Sequence, residues 1–193
     1  MLRIYLFTIL FFSIAGLYAQ KYTYDVILFG KKIGQTTVER IERADGEVLY
    51  KLRSSSEAQI LFTKKTSEML SDVLYKDGVM WSSYVKNVKD GVTEVVKVIR
   101  EKTQYVIDRG EEVLKVSTPV KMSSILLYYQ EPHQNLNIFS ERLGRFCEFK
   151  KTADGVYECK LDNGVNNIYR YRNGVLYELE MVKGASVTLK LVP

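Results

Sequence analysis

The sequence is poor in the side chains on which most enzymes depend. Among 193 residues there is one histidine, His133, and there are two cysteines, Cys147 and Cys159. A single histidine excludes a histidine-rich zinc site and leaves no spare imidazole as a general base. No Gly-x-Ser-x-Gly elbow, glycine-rich phosphate loop or His-Glu-x-x-His pair occurs, so acyl transfer, phosphate-loop chemistry and zinc hydrolysis have no visible anchor. The cysteines lie twelve positions apart rather than as Cys-x-x-Cys, which removes the dithiol redox motif. Ser83-Tyr84-Val85-Lys86 has Ser-x-x-Lys spacing, but it falls in an expected strand, where residues three apart face opposite sides. Asp45, Asp77, Asp90 and Asp154 each precede or stand in a turn and read as turn formers. No catalytic residue, metal ligand or cofactor is assigned. A hydrolase whose carboxylates converge only in three dimensions stays as an alternative.

Blocks of one charge are missing too. The net charge is +5, yet Lys31-Lys32 and Lys64-Lys65 are pairs among interspersed acids, so no nucleic-acid partner is expected. There is no apolar run long enough to cross a bilayer. The stretch from Ile4 to Ala19 has 16 residues, broken by Thr8 and Ser13, against the roughly 20 a spanning helix needs. With Arg3 before it and Ala19-Gln20 after it, the stretch reads as a secretory signal peptide over 1–19, cleaved after Ala19. No cysteine follows for lipid attachment. The expectation is one exported domain over 20–193, in the periplasm or outer cell envelope, with no transmembrane segment in the mature chain.

Tyrosine and tight turns are abundant. Twelve of the fourteen tyrosines lie beyond residue 19, and tyrosine favours strands and half-buried surfaces. Asp45-Gly46, Asp77-Gly78, Asp90-Gly91, Asp154-Gly155, Asn163-Gly164 and Asn173-Gly174 supply the positive φ of tight hairpins. Between them the chain alternates: Val175, Tyr177, Leu179 and Met181 oppose Glu178 and Glu180, as in a sheet with one wet face. Fourteen strands are expected, among them 47–56, 59–65 and 68–76. The fold class is mainly β, a strongly curled, largely antiparallel meander or open barrel. One helix is expected near 119–130, started by Thr118-Pro119 and stopped by Glu131-Pro132, with a short turn or helix at 139–143. Packed on the concave side, Val120, Met122, Ile125, Leu126 and Tyr129 either complete the core or line a ligand cavity. Cys147 and Cys159 flank the Asp154-Gly155 turn and, in an oxidising compartment, are candidates for a disulfide between adjacent strands.

Tyr22-Thr23-Tyr24-Asp25-Val26 followed by Gly30-Lys31-Lys32-Ile33-Gly34, with Leu61-Phe62, Asp77-Gly78, Pro119 and Phe139-Ser140-Glu141 further on, resembles uncharacterised exported β proteins of Bacteroidota. The resemblance covers most of residues 21–192 and implies an exported domain of unknown function, with no reaction or binding residue to carry over. A weaker similarity is to periplasmic lipoprotein carriers and lipid-binding half-barrels, whose curved sheets cradle acyl chains beneath helices. Together these readings lead to an exported, non-enzymatic envelope protein binding an apolar or lipid-like ligand between sheet and helix. The alternative is a scaffold or adaptor that contacts another envelope protein through a strand edge or tyrosine patch.

Overall fold

Turn chemistry and alternation dictate most of the architecture. At Asp77-Gly78, Asp90-Gly91 and Asn173-Gly174 both residues have positive φ, which Asp, Asn and Gly tolerate best. The computed structural model describes residues 19–161 and 164–193; the expected signal segment, apart from Ala19, lies outside the described residues. Among the described residues run β1 (Ala19–Leu28), β2 (Lys31–Glu42), β3 (Glu47–Ile60), β4 (Thr63–Lys76), β5 (Val79–Lys89), β6 (Val92–Glu101), β7 (Gln104–Asp108) and β8 (Val113–Val116). After a long connection come β9 (Leu136–Ser140), β10 (Arg145–Ala153), β11 (Val156–Lys160), β12 (Asn166–Arg172), β13 (Val175–Lys183) and β14 (Ala185–Leu191).

These strands form one 14-stranded sheet in the order β8-β7-β6-β5-β4-β3-β2-β1-β14-β13-β12-β11-β10-β9. Hairpins extend it in both directions, and the two halves meet where β1 pairs antiparallel with β14, Tyr24 opposite Leu191 and Leu28 opposite Val187. The sheet is not closed; β8 and β9 are its edges. It curls nonetheless. A Cβ added to Gly144, in the turn between β9 and β10, would lie 2.6 Å from the side chain of Ile107 in β7 and 3.6 Å from that of Val96 in β6. The turn beside one edge therefore packs on strands near the other, and glycine is what fits. The concave face buries Tyr24, Val38, Leu52, Val73, Val98 and Ile107 from one half and Phe149, Tyr157, Tyr169 and Leu176 from the other.

Three expectations are corrected. The strands expected over 47–56, 59–65 and 68–76 are two long ones, β3 and β4, turning at Leu61-Phe62. No Gly, Asn or Asp marks that turn. Residues 136–140 form β9, and the turn expected at 139–143 follows it, with Gly144 N–H donating to Ser140 O at 2.8 Å. The helix expected near 119–130 is absent; Leu126–Tyr128 forms a single 3-10 turn. Neighbouring strands take the backbone groups a helix would use. Met80 N–H donates to Val120 O (2.9 Å), Phe139 N–H to Met122 O (3.0 Å) and Ser124 N–H to Phe139 O (2.9 Å). A helix this short is marginal by itself, so sheet contacts override its local signals.

Candidate functional site

Residues 117–135 cross the concave face as an irregular strap, buried on four consecutive residues, Ile125 to Tyr128. Irregular backbone inside a protein has no ladder to satisfy its polar groups. Tyrosine meets this need, since it spans a core and ends in a hydroxyl. Tyr171 Oη donates to Leu127 O at 2.8 Å. Tyr105 Oη donates to Met80 O at 2.9 Å and accepts Val120 N–H at 3.2 Å. Tyr75 Oη bonds Ser123 Oγ at 2.7 Å, and Tyr157 Oη donates to Glu131 Oε1 at 2.8 Å. The buried Glu141 carboxylate accepts Ile125 N–H at 3.1 Å and the Ser124 hydroxyl. The rings of Tyr24 and Tyr50 lie 5.4 Å from those of Tyr128 and Tyr129 respectively. Burial pushes the hydroxyls of Tyr24, Tyr75, Tyr128, Tyr169 and Tyr171 well above the usual tyrosine range; burial followed by the Glu131 contact brings Tyr157 to about 12.

The five residues expected at a cavity are brought together by this strap. Val120, Ile125 and Leu126 are buried in the core, while Met122 and Tyr129 pack at its margin. Two open depressions of the surface are lined by other residues, among them Leu49, Leu74, Tyr84 and Ile99 in one and Thr37, Arg53, Leu70 and Lys86 in the other.

Apolar exposure is concentrated instead at one end of the sheet. Antiparallel strands alternate in direction, so the turns after β1, β3 and β5 share an end. There Phe29 is 74% exposed, Leu61 87% and Phe62 100%. Phe29 and Leu61 have φ of 49° and 54°, the conformation occupied by Asp77, Asp90 and Asn173 in other turns. For a non-glycine residue it costs about 1–2 kcal/mol. Neither burial nor turn chemistry accounts for bulky apolar side chains at these positions.

The β3–β4 hairpin also runs on past its pairing with its neighbours. β2 pairs with β3 as far as Gly34–Ser56, and β5 pairs with β4 from Ser67 onward. Beyond these points Glu57–Ile60 and Thr63–Thr66 pair with each other. The result is a two-stranded finger of four residue pairs, about 13 Å long at strand rise. Gly34 sits at its base, where a Cβ would fall 2.1 Å from Ser55 O. Lysines follow both tips: Lys32 lies 2.6 Å from Asp25, Lys64 2.8 Å from Glu57 and Lys65 3.0 Å from Asp90. The Thr66 N–H and then Lys65 hold the Asp90 carboxyl below the usual carboxylate range.

Other sequence candidates do not assemble. Cys147 and Cys159, the disulfide candidates, stand near each other without a bridge between them. The β10–β11 register sets Lys150 opposite Glu158, so Cys159 faces Phe149 and Cys147 stands diagonal to it. A hydrogen bond with Cys147, with burial second, raises the Cys159 thiol. Ser83 is buried while Lys86 is exposed, on opposite faces of β5. The His133 side chain is 77% exposed, 3.8 Å from Glu131. No group of three His, Cys, Asp or Glu residues suited to a metal occurs among the described residues. What the sequence reading missed was the apolar end, although its signal was present: Phe-x-Lys-Lys occurs at 29–32 and again at 62–65.

Comparison with solved structures identifies the crystal structure of a β-barrel-like protein of domain of unknown function DUF1849 from Brucella abortus, with a TM-score of 0.55 at 13% identity, covering 91% of this chain and 96% of that one. At that identity the likeness concerns the fold, and it agrees with a curled, unclosed sheet. Comparison with curated proteins gives no match. The sequence from residue 24 to residue 192 matches the family described as Domain of unknown function (DUF6134), and the chain belongs to that family.

Proposed function

We propose that this chain is an exported cell-envelope protein that acts by binding, and that its ligand is lipid-like and engages the apolar end of the sheet rather than a space beneath residues 119–130. The observation that carries the reading is the complete exposure of Phe62 at the tip of a finger joined to the neighbouring strands only at its base, through Thr66 and Lys65 to Asp90. Clustered apolar groups held in water mark interaction surfaces. The packed strap argues for the end over the interior, and export rests on the apolar residues 4–19. The test is expression of the full gene product in a bacterial host, followed by fractionation, intact mass and lipid extraction without delipidation. The expected product is released on osmotic shock with residues 1–19 removed and carries or sediments with lipid. Retention in the cytoplasm with an intact N-terminus overturns export; absence of any lipid association overturns the ligand class.

A second reading, an adaptor acting through protein contacts, is favoured by the groove on the convex face, where Leu49, Leu74 and Ile99 share a depression with Arg43 and Asp72. It predicts a reproducible crosslinked partner that Leu74→Asp abolishes.

A further inference from the structure

We infer that the end carrying Phe29, Leu61 and Phe62 docks on the surface of an anionic lipid bilayer, the apolar tips entering the acyl boundary and the lysines behind them meeting lipid phosphates. This rests on the reading of a lipid-like ligand and specifies its form, a membrane surface instead of an extracted molecule. Three observations carry it. Two separate hairpins present the same order of side chains at the same end of the sheet, Phe29 ahead of Lys31-Lys32 and Phe62 ahead of Lys64-Lys65. The order matches the layers of a bilayer. Lysines two and three residues behind a tip sit about 7–10 Å back along a strand, comparable with the roughly 5–10 Å to which interfacial segments bury their apolar face.

Shape is the second argument. Phe62 is 100% exposed at the tip of a protruding finger, and a convex, isolated tip suits a fluid surface that closes around it. Charge is the third. Lys31, Lys32, Lys64, Lys65 and Lys89 stand near the tips, with Glu57 and Asp90 among them and Asp25 in an ion pair with Lys32, while Asp108, Glu111 and Glu112 lie three strands away at the β7–β8 turn of the same end, beside Arg109. Exposed pairs of this kind are weak, so lipid phosphates can take over the lysines.

The test is sedimentation with vesicles of phosphatidylglycerol and phosphatidylethanolamine, and with phosphatidylcholine vesicles for comparison, using proteins whose identical N-terminus has been established by intact mass. Wild type binds the anionic vesicles and binds phosphatidylcholine weakly. Leu61→Ser/Phe62→Ser and Phe29→Ser each weaken anionic binding on the order of tenfold, and replacing Lys31, Lys32, Lys64 and Lys65 with Gln removes the preference for anionic lipid. The substituted side chains lie outside the core, so thermal unfolding stays unchanged and loss of binding is not loss of fold. In Phe62→Trp the new tryptophan's emission moves to the blue on vesicle addition.

Binding unaffected by the tip substitutions, or equal on neutral vesicles, overturns the inference. If the tip variants sediment with vesicles as wild type does and lipid still co-purifies with them, docking through the tips fails and only the ligand class stands, engaged elsewhere than the apolar end. If no lipid associates by extraction or sedimentation, both fail. A tip-dependent protein partner in the absence of vesicle binding also overturns membrane docking.

Discussion

Replacing Tyr171 by Phe removes one oxygen and leaves the buried Leu127 carbonyl without its donor. The expected loss of stability is about 1–3 kcal/mol, read from the urea midpoint at unchanged slope. Glu141→Ala strands two donors, Ile125 N–H and the Ser124 hydroxyl, and is expected to lose about 3 kcal/mol; Glu141→Gln retains an acceptor and loses less. The cysteines give a second test. Cys159 is 2% exposed and its thiol is raised by the Cys147 hydrogen bond and by burial, so alkylation of Cys159 in the native protein is slow. Both thiols react on unfolding without reductant, whereas a bridged pair would yield none. The abundance of tyrosine was legible in the sequence. Its use was not, because which group a hydroxyl reaches depends on a strap far away in sequence, 44 residues for Leu127 and Tyr171 and 48 for Ser123 and Tyr75.

The finger beyond Gly34–Ser56 is an element the fold does without. Replacing residues 58–65 with Asn-Gly is expected to leave global stability within about 1 kcal/mol, measured by thermal unfolding, while amides 58–65 of the parent exchange with solvent far faster than those of β1 or β14. Exchange as slow as in the core would show that the finger is packed. Strands joined by Asp-Gly and Asn-Gly were readable because the turn chemistry is local. Leu61-Phe62 was not, since a turn made of two bulky apolar residues carries no such mark. The Thr118-Pro119 start and apolar spacing of 120–129 describe a helix that β5 and β9 prevent by taking its backbone partners.

For the molecule as a whole, the concave face implies a particular response to pH. The buried tyrosines have folded pKa values raised above the ordinary value of about 10, by burial before any other cause. The stability they contribute is present below that pH and is lost as pH rises toward the folded values. Unfolding in base is therefore expected to be cooperative and to coincide with ionisation of these buried tyrosines; their gradual titration before the loss of circular dichroism would contradict the buried network. Glu39, Asp90 and Glu180 are held low, by Lys21, by Thr66 N–H and then Lys65, and by Ser186 and then Arg170 respectively, so their contribution is lost as pH falls below about 4. These side chains remain in contact with solvent, and the acid effect is small. The sequence by itself determined a mainly β, antiparallel meander, because alternation and hairpin turns act over a few residues. Tertiary pairing set the irregular path of the strap, the diagonal placing of the cysteines and the gathering of apolar tips at one end. Each of these depends on curl and register, which arise from pairings such as β1 with β14 between distant parts of the chain.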